Sequence, residues 1–393
     1  MKRNIKLLKF ILPLNQAWFW LGIWILYYLR FTNYTGIGLI EAVVITTGFI
    51  FEIPTGALAD LIGKKKTIII SFLFSSVGNI IMTFAESSVH LVISIVFLAI
   101  GGALLSGTSD ALIYDSLKQI KSENKFEGIL SSINKYILII MAIASIIGGF
   151  MYKINPRIPF AATSIAMFIA FFIAFFLKEP KIDAIKFSFI NYLKQIRIGV
   201  SQLFKEKSSI HWIIKLLAIS SFAVIFVDIL DGTLAIHFRF NERSLGILFA
   251  LIPFISAVGN HFYLKIKSKI GEKKLLLFIF ITFILITGIS PIYGLFFGGI
   301  SLLYRNFFYP FIDIMASNTI NRFVESKYRT TTLSTFIMIK KLPYVLFAYI
   351  IGRSIDKISP SRVSLWFSIL LGVLALILYT SSTYKAKFRK NKQ

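Results

Sequence analysis

The sequence predicts an all-α integral membrane protein, on three observations. Apolar residues make up 56% of the 393-residue chain, above the roughly 45–50% usual for soluble domains. They gather in runs of about 20 residues, the length an α-helix needs to cross a hydrocarbon core of ~30 Å. No stretch alternates apolar and polar residues for long enough to build a membrane β-barrel.

The length rule picks out about twelve such runs. They fall near 11–30, 37–59, 67–85, 89–111, 131–152, 159–177, 211–232, 244–264, 274–290, 292–315, 331–352 and 362–380. The formal net charge of +25 could serve nucleic-acid binding, but the bases sit at the ends of the runs instead of on one face of a domain. Lys2, Arg3, Lys6 and Lys9 precede span 1, and Lys64–Lys66, Lys118–Lys125, Lys178–Lys207, Lys265–Lys274, Arg322–Arg329 and Lys385–Lys392 follow even-numbered spans. One side of the membrane therefore carries them, and the positive-inside rule makes it the cytoplasmic side, with both termini there. Arg239, Arg243, Arg353 and Arg362 are exceptions. Span 1 lacks a small-residue cleavage site and reads as a retained helix of a multi-pass plasma-membrane protein.

The stretch Phe51–Lys66 reads FEIPTGALADLIGKKK. An apolar run closes on Pro54-Thr55-Gly56, Asp60 follows one helical turn later, and Gly63 breaks the chain before Lys64 and Lys65. This spacing matches G-x-x-x-D-x-x-G-[RK]-[RK] and resembles the loop between the second and third helices of major facilitator superfamily transporters. Glu52-x-Pro54-Thr55-Gly56, and the Ser106–Leu117 string ending in Tyr114-Asp115-Ser116-Leu117, are similar to a drug-exporter subset. The resemblance implies twelve helices in two six-helix bundles, divided as 1–180 and 209–393 and joined by a cytoplasmic linker at 181–208. It implies a gating motif of Gly56, Asp60, Gly63, Lys64, Lys65 and Asp115, with Asp60 meeting the start of span 11 near Arg329-Thr330-Thr331.

The chain departs from that pattern in span 4, where no arginine lies between Ser88 and Lys118. In span 5, Ala144-Ser145 stand where the antiporter motif has Gly-Pro, leaving Gly148-Gly149 as a helix-packing pair. The second half repeats the loop in degenerate form, Gly271-Glu272-Lys273-Lys274 aligning with Gly63–Lys66, and internal repeats are typical of transporters.

Ionisable and aromatic residues inside spans mark candidate sites. In span 1, Gln16, Trp20, Trp24 and Tyr27 share one helical face, lining a central cavity or forming an aromatic belt. Span 2 carries Glu41 and Glu52. Span 7 carries Asp228 and Asp231, three apart and so on one face, where two carboxyls favour one shared proton. Span 10 carries Arg305, Tyr309 and Asp313, and span 11 carries Lys340 and Lys341. Counted as three bases against two acids, this half has a surplus that a substrate or a proton would meet. Residues 178–208 read as an amphipathic basic helix lying in the membrane interface as a tether.

No cysteine is present, which excludes disulfides and thiolate chemistry. The four histidines are scattered without metal or triad spacing, and no phosphate-cradling G-x-x-x-x-G-K-[ST] occurs. The expectation is a monomeric secondary transporter, not an enzyme, without cofactor, metal or nucleic acid. Its partners are the lipid bilayer, a small-molecule substrate and protons. Proton-coupled efflux of amphipathic, drug-like compounds is the first reading. Uptake or exchange of an anionic metabolite through Arg305, Lys340 and Lys341 is the second, and a channel, scaffold or membrane enzyme the third.

Overall fold

A computed structural model describes residues 1–180, 189–205, 210–325 and 328–390; side chains at 52–58, 60–61, 189–196, 330 and 381–390 lie outside the description. All the regular structure among the described residues is helical. Two compact units emerge: Met1–Tyr192 with Asn241–Pro253, and Leu193–Phe240 with Phe254–Gln393.

The first unit contains α1 (Lys2–Asn15), α2 (Trp24–Tyr28), α3 (Tyr34–Ile62), α4 (Lys64–Thr83), α5 (Ser88–Leu105), α6 (Thr108–Lys118), α7 (Phe126–Ile154) and α8 (Ile158–Ala174). Leu8, Ile11, Phe72, Leu112, Ile113 and Ala170 form its core. α4 packs closely on α5 and α8 because its facing residues are small. Ser71 Oγ donates to Gly101 O at 2.7 Å, Ser94 Oγ to Gly78 O at 2.7 Å and Ser164 Oγ to Ser76 O at 3.1 Å.

The first expected span is not one helix. α1 stops at Asn15 and the chain runs through turns before α2 begins at Trp24. Backbone freed at membrane depth needs partners inside the protein, and Thr163 of α8 supplies them. Its Oγ1 accepts from Phe19 N at 3.1 Å and lies 3.3 Å from Ala17 O. The turn also passes so close to α7 that a Cβ on Gly148 would sit 1.6 Å from Phe19 O. The fourth span is broken as well, at Gly107, whose φ of 70° suits glycine.

The second unit contains α10 (Ile210–Ile225), a π-helical turn at Phe226–Leu230, α11 (Asp231–His237), α13 (Glu272–Gly288), α14 (Leu295–Phe323), α15 (Arg329–Ile358) and α16 (Pro360–Lys390). α12 (Glu242–Ile270) starts with the first unit and continues in the second, the division falling at its internal Pro253. Leu216, Ile279, Phe280, Phe311, Ile312 and Met315 form the second core. α9 (Phe189–Lys205) reaches it too: Leu203 is fully buried there, and a Cβ on Gly199 would meet Thr335 Oγ1 of α15 at 2.1 Å. Its C-terminal end is therefore docked, where the sequence suggested a tether.

Among the described residues eight segments are long and apolar enough to cross a membrane. The other four expected spans are helical too. The first is broken; α8 and α13 have only 17 residues each; α14 carries Arg305 and Asn306 in its apolar stretch. Large apolar side chains such as Phe172, Phe296, Phe297, Leu346 and Leu376 stand more than half exposed on these helices, as lipid-facing positions require.

Candidate functional site

The charged side chains of the second unit meet around α14. Arg305 pairs with Asp231, and both are almost wholly buried. Asn306 Nδ2 donates to the other Asp231 oxygen at 2.9 Å. The Arg305 guanidinium also lies over the Phe226 ring, 4.8 Å from its centroid. Two of its nitrogens, Nε and Nη1, are buried without an acceptor among the described residues.

Asp228 has a different environment. The π-helical turn interrupts the α-periodicity that would have put it on a face with Asp231; π-turns recur at functional sites. Asp231 turns to α14, whereas Asp228 is half-buried and accepts no hydrogen bond among the described residues. The charges acting on it are those of Lys341, Lys340 and Asp231.

Lys340, buried on α15, donates to Asp313 at 2.6 Å and lies 3.4 Å from the Tyr309 hydroxyl. Asp313 is thus a third acid of the cluster, opposite Arg305, Lys340 and Lys341. The count of three bases against two acids left Asp313 out, and with it the cluster balances at three against three. Beside the cluster a cavity of about 570 Å³ opens, and Ser256, Asn260, Asn306, Tyr309 and Asp313 give it a hydroxyl, amide and carboxylate wall.

In the first unit, Gly63 ends α3 with φ 94° and ψ 148° and starts α4. Lys64 pairs with Asp115 of α6. The backbone amides of Lys64 and Lys65 donate to the two oxygens of Glu179, at 2.8 and 2.7 Å. Glu179 caps α4 and went unnoticed in the sequence; the only signal was an acid beside Pro180 at the head of a basic stretch. The side chains of Glu52, Gly56, Asp60 and Thr330 lie outside the described residues, and with them the expected meeting of Asp60 with Arg329-Thr330-Thr331.

The aromatic stripe does not exist as a helical face, because Gln16 and Trp20 stand in the turns between α1 and α2. Tyr27 is fully buried, donates to Met82 O at 2.7 Å and packs on Phe160 at 4.3 Å between centroids. It is a core residue of the first unit. Trp20 stacks on Trp18 at 5.3 Å, with its buried Nε1 lacking an acceptor among the described residues. Trp24 and Gln16 are half-buried, Trp24 edge-on to Tyr28, and Glu41 is half-buried on α3.

Ion pairs inside apolar helices, beside a cavity that mixes polar and apolar side chains, belong to a multi-pass membrane protein with a polar interior. The family model described as Major Facilitator Superfamily matches residues 7–342, and the chain belongs to that superfamily of transporters. An uncharacterized MFS-type transporter, YxaM of Bacillus subtilis (strain 168), is 24% identical over 374 residues, covering 91% of this chain and 90% of that protein. Among solved structures, the nucleoside transporter NupG aligns with a TM-score of 0.79 at 14% identity, covering 96% of this chain and 98% of NupG. A D-xylose-proton symporter aligns at 0.65 and 12% identity, covering 96% of each chain. A POT family transporter in complex with 5-aminolevulinic acid aligns at 0.70 and 13% identity, covering 97% of this chain and 96% of that one.

Proposed function

We propose that this chain is a proton-coupled secondary transporter of the cytoplasmic membrane, with both termini cytoplasmic, that exports a small organic molecule by alternating access. It works as a monomer, its bundles at 1–180 and 209–393 joined by the segment 181–208.

One observation carries the reading: the two aspartates of the seventh span are not equivalent. Asp231 is held by Arg305 and Asn306, so its charge is matched in place. Asp228 has no ion-pair partner among the described residues and feels the charges of Lys341, Lys340 and Asp231. A carboxyl that exchanges a proton must be stable in either form, and Asp228 is the group with that freedom. Asp228 takes a proton from one side and releases it to the other, and the ammonium groups of α15 steady the anion in between. A static bridge joining two helices would favour a fully satisfied network. Arg305 Nε and Nη1 have no acceptor among the described residues; an unsatisfied buried donor costs about 1–3 kcal/mol, which favours a working site instead.

The cavity beside the cluster receives the solute. Its hydroxyl, amide and carboxylate groups, set among Val227, Pro310 and Ile314, suit a neutral or cationic molecule that donates hydrogen bonds. The anionic-metabolite reading has less support, since Arg305 pairs with Asp231 and Lys340 with Asp313, which leaves Lys341 of its three bases. The structural neighbours move solutes as unlike as nucleosides and xylose, so the substrate class rests on these residues alone. A proteoliposome screen of cationic and neutral organic solutes and of organic anions, under an imposed pH gradient, tests the reading. It expects saturable, gradient-driven movement of a cationic or neutral solute; movement of anions alone contradicts it.

A further inference from the structure

α4 and α13 begin alike. Each follows a glycine with positive φ, Gly63 at φ 94°, ψ 148° and Gly271 at φ 80°, ψ 152°, and each opens a basic copy of the same loop sequence. The first amides of a helix lack intrahelical partners and attract an oxyanion. In the first unit the chain supplies one, the carboxylate of Glu179.

At α13 the N-cap is Gly271, which has no side chain to cap the helix start, and the acid in the first turn is Glu272. Here a cavity of about 620 Å³ opens instead, lined by Lys267, Lys273, Lys274, Arg322 and Trp212. Glu272 neutralises Lys267, at 2.9 Å. Lys273, Lys274 and Arg322 are exposed and pair with no acid among the described residues. Where the first unit is filled from within, the second therefore combines the same helix start with room and three uncompensated cations.

We infer that this cavity binds a phosphate ester. A phosphate group has the acceptor oxygens and charge to meet backbone amides, ammonium groups and a guanidinium together, and the volume suits a small organic ligand. The cavity lies at the junction of two membrane spans, α12 and α13, so its ligand is the headgroup of an anionic lipid or a soluble phosphate ester of the same chemistry. This site is separate from the transport cluster and stands whether or not the proposed substrate class is right.

The full chain in detergent, titrated with phosphatidylglycerol, phosphatidylcholine or glycerol 3-phosphate and read by native mass spectrometry, tests this. Wild type should hold phosphatidylglycerol or glycerol 3-phosphate about tenfold more tightly than phosphatidylcholine. The Lys273→Gln/Lys274→Gln/Arg322→Gln variant should lose that preference at an unchanged unfolding temperature. A Lys265→Gln/Lys269→Gln variant, altering exposed bases outside the cavity, should keep it. Phosphatidylglycerol retained against excess glycerol 3-phosphate supports the site with a lipid source. Glycerol 3-phosphate binding alone and displacing the lipid supports it with a soluble source. No preference in wild type, or an equal preference in the triple variant, overturns the inference.

Discussion

Asp231 accepts hydrogen bonds from both Arg305 and its chain neighbour Asn306, in a pocket where acid and base are each almost fully removed from solvent. Removing one partner of a buried pair leaves an uncompensated charge, at a cost of roughly 3–5 kcal/mol. Arg305→Met should therefore lower the unfolding temperature sharply in detergent. Adding Asp231→Asn should recover most of the loss. A single variant as stable as wild type would mean that the pair carries no such weight.

The seam between α7 and its neighbours in the first unit depends on having no side chain. A Cβ at Gly148 would lie 1.6 Å from Phe19 O, and one at Gly246 would lie 2.5 Å from Ser145 O. Both clashes are with backbone, which cannot step aside as a side-chain tip can. Gly148→Ala should destabilise by about 1–3 kcal/mol, the usual cost of overpacking. Gly102→Ala meets nothing within 4 Å and should be neutral or slightly stabilising. Equal behaviour of the two in thermal unfolding would contradict the packing account.

Glu179 and Asp115 secure the start of α4 by different means, one through backbone amides and one through the Lys64 ammonium. Glu179→Ala should cost about 0.5–2 kcal/mol as a lost helix cap. Lys64→Gln should leave Asp115 buried without its cation, and Lys64→Gln/Asp115→Asn should restore stability. Hydrogen exchange of the α4 amides reads both effects locally. Unchanged exchange in all three variants would remove these contacts from the account.

These contacts also mark where the sequence stops being informative. Spans were legible because hydrocarbon thickness sets the length of an apolar run, and the Gly63 and Gly271 loops because a basic cluster after such a run has few other causes. The break at residues 16–23 was not, since Thr163, which satisfies the freed backbone, lies far along the chain. Periodicity within one helix linked Asp228 to Asp231, yet a single π-turn undid that face without leaving a trace in composition. The pairing of Lys340 with Asp313 joins two helices, and no pattern within either announces it. The same holds for Glu179, 115 positions from Lys64.

The central claim is that Asp228, and not Asp231, carries the exchanged proton. Asp228→Asn, reconstituted in proteoliposomes with a solute found by the screen, tests it most directly. The variant should fold as wild type does, lose transport driven by a pH gradient, and keep exchange of substrate for substrate without a gradient. Full pH-driven transport by Asp228→Asn, or parallel loss of both modes in a stably folded protein, would contradict the account.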